Sequence, residues 1–125
     1  MQNLLLVVIG GGIGAGLRHL MNGFALRLAG ASFPWGTMAI NISGSLMMGL
    51  LIGVLALRSS DTNALRLFLA TGVLGGFTTF SAFSLDFAAL WERGASAAAL
   101  IYAAASVSGA LIAVFVGLWL SRSLA

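Results

Sequence analysis

The chain has no cysteine and no lysine, one proline and one histidine, and only six basic and three acidic side chains in 125 residues. Without cysteine there is no disulfide, no thiol nucleophile and no thiolate ligand. The single histidine, His19, follows Arg18 and has no cluster of carboxylates near it in sequence. It suits an interfacial or structural side chain, and no set of His, Cys and acidic residues is present to hold a transition metal. No nucleophile is paired with a base, so an enzyme is not expected. The net charge of +3 and the pI of about 11.3 come from six arginines set against three acids. No basic run and no basic stripe interleaved with aromatics accompanies them, which excludes nucleic-acid binding as their cause. Met1 to Asn3 lacks a basic start, so a cleaved signal peptide is not expected.

What the chain does have is apolar length. Sixty per cent of its residues are hydrophobic, 7% are charged, and mean hydropathy is +1.07, a composition outside that of soluble domains. Windows of about 20 apolar residues, enough to cross ~30 Å of hydrocarbon, predict four membrane helices over 4–28, 36–57, 63–91 and 95–120. The fold class is all-α, with one membrane domain over 1–125. The connectors are short. Pro34 favours a turn before the second span, and Trp35 suits a membrane interface. Asp61 or Thr62 is placed to cap the third span, and Glu92 to Gly94 make up the last connector.

The third span is interrupted. Gly75 to Ser84 reads GGFTTFSAFS, with two glycines, four hydroxyls and three phenylalanines in ten residues. In hydrocarbon, a broken helix survives only where protein, an ion or a cavity satisfies the freed backbone groups. The spacing predicts a break near Gly75–Thr78 and a restart near Thr79. Phe80, Phe83 and Phe87 then share one helical face, and Ser81 and Ser84 share a neighbouring one. Phenyl edges carry positive potential, so rings turned inward beside a break are suited to line a path for a small anion.

Other polar residues sit within the spans, where they are costly and tend to face the bundle interior. Asn41 lies in the second span with Ser45 four residues on, while Ser43 is on another face. Its amide offers two donors and an acceptor, suiting either a partly dehydrated anion or the backbone of a broken helix. Tyr102 and Ser106 form a short i,i+4 polar track in the fourth span, and Ser108 stands apart from it. Asp86 and Arg18 are the intramembrane charges most in need of partners. Glycine pairs four apart (Gly10 with Gly14, Gly12 with Gly16, Gly49 with Gly53, Gly72 with Gly76) allow close helix contacts without identifying an interface. Four such thin helices enclose little space, which favours a site between subunits.

With four spans the termini share one side of the membrane. Arg58, Arg66 and Arg122 fall on that side, and Arg18, Arg27 and Arg93 on the other. Orientation normally follows an excess of Lys and Arg on the cytoplasmic side. The even tally predicts insertion in both orientations and antiparallel, head-to-foot pairing.

Together, GxxxR at Gly14 to Arg18, PWGT at Pro34 to Thr37, Asn41 four residues later and GGFTTFSAFS make the chain resemble the Fluc (CrcB) family of bacterial fluoride channels over nearly its full length. The resemblance implies a dual-topology antiparallel homodimer in the bacterial inner membrane that exports fluoride passively through two pores and so relieves fluoride toxicity. It places the pore phenylalanines at Phe80 and Phe83, the pore asparagine at Asn41, and the pore tyrosine at Tyr102 with Ser106 following; Thr79, Ser81 and Ser84 supply hydroxyls, and Arg18 is structural. It also implies a structural Na+ at the dimer centre, held by main-chain carbonyls at Gly75 and Thr78. The chain departs from the family at Ala82, where a further hydroxyl is common, and at Ala110 and Val114, where Ser or Thr is common, implying a thinner polar track. His19 stands where an aromatic ring is common. The alternative is a small dual-topology exporter of cationic drugs, which needs a membrane carboxylate in its first span; this chain has none there, and Asp86 is the only candidate. A non-transporting assembly subunit is the third reading.

Overall fold

The computed structural model describes residues 1–125. Helix α1 spans Gln2–Ala29 and α2 spans Trp35–Ala56. The third span, Asn63–Glu92, is assembled from α3 (Asn63–Arg66), a π-helical segment (Leu67–Leu74), α4 (Gly75–Phe77) and α5 (Phe80–Glu92). Helix α6 spans Ser96–Ser123. All four spans are long and apolar enough to cross a membrane, so this is an all-helical, multi-pass membrane protein.

The helix ends follow local chemistry. Gly30, at φ 75°, closes α1 with its N–H on the Leu26 carbonyl at 3.0 Å, a backbone turn that a side chain would strain. Pro34 stands at the N-cap of α2, and Trp35 is that helix's first residue. Asp61 Oδ1 accepts the Asn63 N–H at 2.9 Å and satisfies one of the unpaired amides at the start of α3.

Glycine, not leucine, fills the helix contacts. Only 21 of 125 residues are buried, so most large apolar side chains point outward, as lipid-facing residues do. Between α1 and the third span, a Cβ on Gly10 would strike the Phe68 carbonyl and one on Gly14 the Val73 carbonyl; Gly76 faces the Gly11 backbone. Phe68 and Val73 are five residues apart, the i→i+5 interval of a π-helix, and they face glycines four apart on an α-helix. The π-helical segment thus keeps its carbonyls in step with the glycine ladder of α1. Between α2 and α6, Gly49 lies on the Val114 carbonyl, Gly117 on the Leu46 carbonyl, and Gly53 against Ser121. Gly12 and Gly16 meet nothing within 4 Å. Their spacing resembles that of Gly10 and Gly14 but belongs to the outer face of α1.

The break lies later than expected. Gly75 and Gly76 are helical, and the chain becomes extended at Thr78 (φ −77°, ψ 155°) and Thr79 (φ −153°, ψ 118°). The physical reason is that Gly76 is needed for close approach to α1, whereas β-branched threonines accept extended backbone readily and cap the groups the break exposes. Nothing in the hydropathy pattern signalled the π-helical turn.

Candidate functional site at the helix break

Leu74, at the end of the π-helical segment, accepts both the N–H and the Oγ1 hydroxyl of Thr78 through its carbonyl, each at 3.0 Å. Thr79 then stands at the N-cap of α5, its Oγ1 accepting the Ala82 N–H at 3.2 Å. Thr79 itself is held from α2. Its N–H donates to Asn41 Oδ1 at 2.8 Å, and its carbonyl accepts from Asn41 Nδ2 at 2.9 Å. Of the two roles open to Asn41, fixing the broken helix is thus filled directly, and one amide N–H of its NH2 group remains beyond the bond to Thr79.

The break releases four carbonyls, those of Gly75 to Thr78, and Gly75 and Thr78 bound the set. In an unbroken helix the Thr79 N–H would pair with Gly75 and the Ala82 N–H with Thr78. Here the first goes to Asn41 and the second to the Thr79 hydroxyl. The oxygens of Gly75 and Thr78 are thereby left without those donors, in backbone that hydrocarbon alone cannot solvate. Such oxygens fit a hard cation, which takes carbonyl ligands.

A cleft of about 510 Å³ opens beside the break. Asn41, Thr79, Phe80, Phe83 and Ser106 line it, as do Gly75 and Thr78. Ser45 is on its wall and Ser43, bonded to its own Ile40 carbonyl at 3.3 Å, is not. Phe80 is 75% exposed in the single chain, and its ring lies 5.4 Å from that of Phe83. Ser106 lines the cleft but is itself buried, and its Oγ makes no hydrogen bond within the chain. Ala110 lines the cleft as well, whereas Val114 packs on Gly49.

Three expected site residues lie elsewhere. Ser84 donates back to the Phe80 carbonyl at 3.0 Å, and Ser81 shares a 3.3 Å hydrogen bond with Thr79 Oγ1 at the exposed start of α5. Tyr102 is fully buried behind the cleft wall. Its ring lies 5.2 Å from Phe83 and edge-on to Phe33 at 5.6 Å. Its hydroxyl donates to Asp86 Oδ2 at 3.1 Å. The i,i+4 spacing put Tyr102 and Ser106 on one face, yet only Ser106 reaches the cleft, because Phe83 covers the tyrosine ring. Asp86 therefore takes Tyr102 as its partner, and Arg18 stays partly exposed on α1.

Asp86 also lines a smaller cavity of about 160 Å³ with Asn22, Thr37 and Arg93. Arg93 donates to the Ser32 carbonyl there, tying the last connector to the first. The Phe83–Tyr102 pair stands between the two cavities. Sequence reasoning missed Asn22 and Thr37 here and Met48 in the large cleft. Met48 gives no signal, since an apolar residue in a membrane helix looks the same on every face.

The sequence model of the family described as CrcB-like protein, Camphor Resistance (CrcB), matches residues 5–118. Near-full-length relatives are proteins named "Fluoride-specific ion channel FluC": one from Mesorhizobium japonicum is 69% identical over 124 residues, covering 99% of each chain. Another, from Chelativorans sp., is 60% identical with the same coverage, and one from Agrobacterium fabrum is 52% identical over 99% of each chain. These relatives are named as channels, not enzymes. A match over nearly the whole of the chain, carried through the helix break and the cleft beside it, makes this protein a member of the CrcB family.

Proposed function

We propose that the chain forms a fluoride-selective channel that lets the anion leave the bacterial cytoplasm passively across the inner membrane. The observation that carries this reading is the cleft at the break, which amide, hydroxyl and phenyl residues line together in a protein whose near-full-length relatives are named fluoride channels. Fluoride is small and strongly hydrated, so a selective path must replace its water with donors. The unbonded Ser106 hydroxyl, the remaining Asn41 N–H, the Thr79 side chain and the positive edges of Phe80 and Phe83 supply them. Several weak sites in succession favour passage over trapping. Ser81 and Ser84 act at the outer margin of this path, and Tyr102 acts through the Phe83 ring.

The working unit in this proposal is an antiparallel homodimer with two pores. Its supports are the even split of arginines between the two sides and the shape of the cleft, which is open in a single chain and leaves Phe80 uncovered. A second copy, in membrane lipid, would close it. The Gly75 and Thr78 carbonyls of two copies would supply four oxygens for a central Na+. When bound, that ion would neutralise carbonyl dipoles the break exposes; the residues that shape the break are Asn41 and Thr79. Exchange of Na+ for N-methylglucamine is expected to lower the thermal stability of the purified dimer, and an unchanged melt would refute the assignment.

The test of function is fluoride efflux from proteoliposomes, followed with a fluoride electrode. Flux of fluoride without flux of chloride is expected. Proton-coupled efflux of a cationic drug in its place would establish the exporter, although the small volume of the cavity that Asp86 lines, about 160 Å³, and the bond from Tyr102 to its carboxylate speak against it.

A further inference from the structure

Asn41 holds Thr79 by two hydrogen bonds, yet the chain turns at Thr78, one residue earlier. What holds Thr78 is its side chain, used at both ends. Its hydroxyl donates to the Leu74 carbonyl at 3.0 Å, and its Cγ2 methyl lies where a side chain on Gly44 would begin. Gly44 is buried in α2, three residues after Asn41 and hence on the same helical face. The Phe77 ring closes the other side of the seat, with Cδ1 3.2 Å from the place a Gly44 Cβ would occupy. Helix α2 thus presents two adjacent features to the two residues of the break: a bare backbone for the Thr78 methyl and an amide for the Thr79 backbone.

We infer that Gly44 is a positioning residue of the fluoride path: its missing side chain seats the Thr78 methyl and, with the Asn41 clamp, fixes the direction in which the chain leaves the break toward Phe80 and Phe83. The inference rests on the fluoride reading above. It explains why position 78 uses a threonine in full, hydroxyl and methyl together. A Cβ added at Gly44 must push the methyl away, and the displacement passes along two extended residues to the phenylalanine that opens α5.

Four proteins decide it: wild type, Gly44→Ala, Thr78→Ser, and the double variant, reconstituted at equal density and compared by fluoride efflux. Serine keeps the oxygen that bonds Leu74 and removes only the methyl that Gly44 accommodates. Gly44→Ala is expected to slow efflux about tenfold or more in the threonine background, the factor set by about 1.4 kcal/mol of overpacking strain on the conducting arrangement, while eluting as the wild type on gel filtration. In the Thr78→Ser background the same substitution is expected to change efflux by less than about twofold, the limit expected of sites that no longer touch. Equal slowing in both backgrounds, or wild-type efflux in Gly44→Ala, overturns the inference. If Gly44→Ala alone does not assemble, the double variant must assemble and match Thr78→Ser, and its failure to do so also overturns it. A wild-type protein with no fluoride efflux overturns the fluoride reading and this inference with it, whereas wild-type efflux with an unrescued double variant overturns this inference alone.

Discussion

Replacing Asn41 separates the mechanical role of its amide from its electrostatic one. Asn41→Ala removes both hydrogen bonds to Thr79, a residue only 8% exposed, and leaves its N–H and carbonyl without partners. Each stranded buried group costs about 1–3 kcal/mol, so the variant should lose about 2–6 kcal/mol of stability by the same rule. Asn41→Asp keeps an oxygen for the Thr79 N–H but sets a carboxylate against the Thr79 carbonyl and beside the anion path. Two unit charges ~4 Å apart at an effective dielectric constant of about 20 interact by about 4 kcal/mol, which lowers the occupancy of a neighbouring anion site about a thousandfold. The assays are fluoride-electrode efflux from proteoliposomes and thermal melting of the purified protein. The expected outcome is near-complete loss of flux in both variants, each still eluting on gel filtration as the wild type does. An Asn41→Asp protein that conducts fluoride at the wild-type rate would refute the placing of Asn41 on the path. An Asn41→Ala protein that melts as the wild type does would refute the clamp.

Other substitutions test the remaining parts. Phe80→Ile should abolish fluoride efflux and lose about 0.5–1.5 kcal/mol of stability with the Phe83 ring contact; retained flux would remove Phe80 from the path. Phe83→Ile should abolish efflux and also lose about 0.5–1.5 kcal/mol of stability with the Tyr102 ring contact, which a melt would detect. Tyr102→Phe keeps the ring contacts but takes the donor from Asp86, and a loss of about 1–3 kcal/mol in stability is expected; an unchanged melt would show that Asp86 has another partner. Gly14→Ala, which sets a methyl against the Val73 carbonyl, should prevent α1 from docking, whereas Gly12→Ala should leave the fold of the subunit intact. Comparing the yields of monodisperse protein for the two checks the assigned face of α1.

Several features were legible because one-dimensional patterns encode them. Four apolar runs of membrane length must be helices, since hydrocarbon offers the backbone no other partner. A run such as GGFTTFSAFS cannot continue such a helix unremarked. The location of its break was less legible: glycine permits both a kink and a close approach, and only the Gly11 backbone opposite Gly76 shows that approach is the use here. For the same reason Gly10 with Gly14 and Gly12 with Gly16 look alike in sequence, although one pair is buried against the third span and the other faces outward.

The sequence by itself determined the class of the protein, its spans, and the polar residues that a membrane helix tolerates only for a purpose. Periodicity along one helix is set by local geometry, so it placed Ser106 and Tyr102 on a common face. The tertiary structure alone decided that Phe83 covers Tyr102, that Asp86 rather than the cleft takes the tyrosine hydroxyl, and that Asn41 closes on Thr79 across a gap of 38 residues. Those partners belong to different helices. Which of them meet depends on how closely the glycine-lined backbones approach, and that distance is written in no single segment.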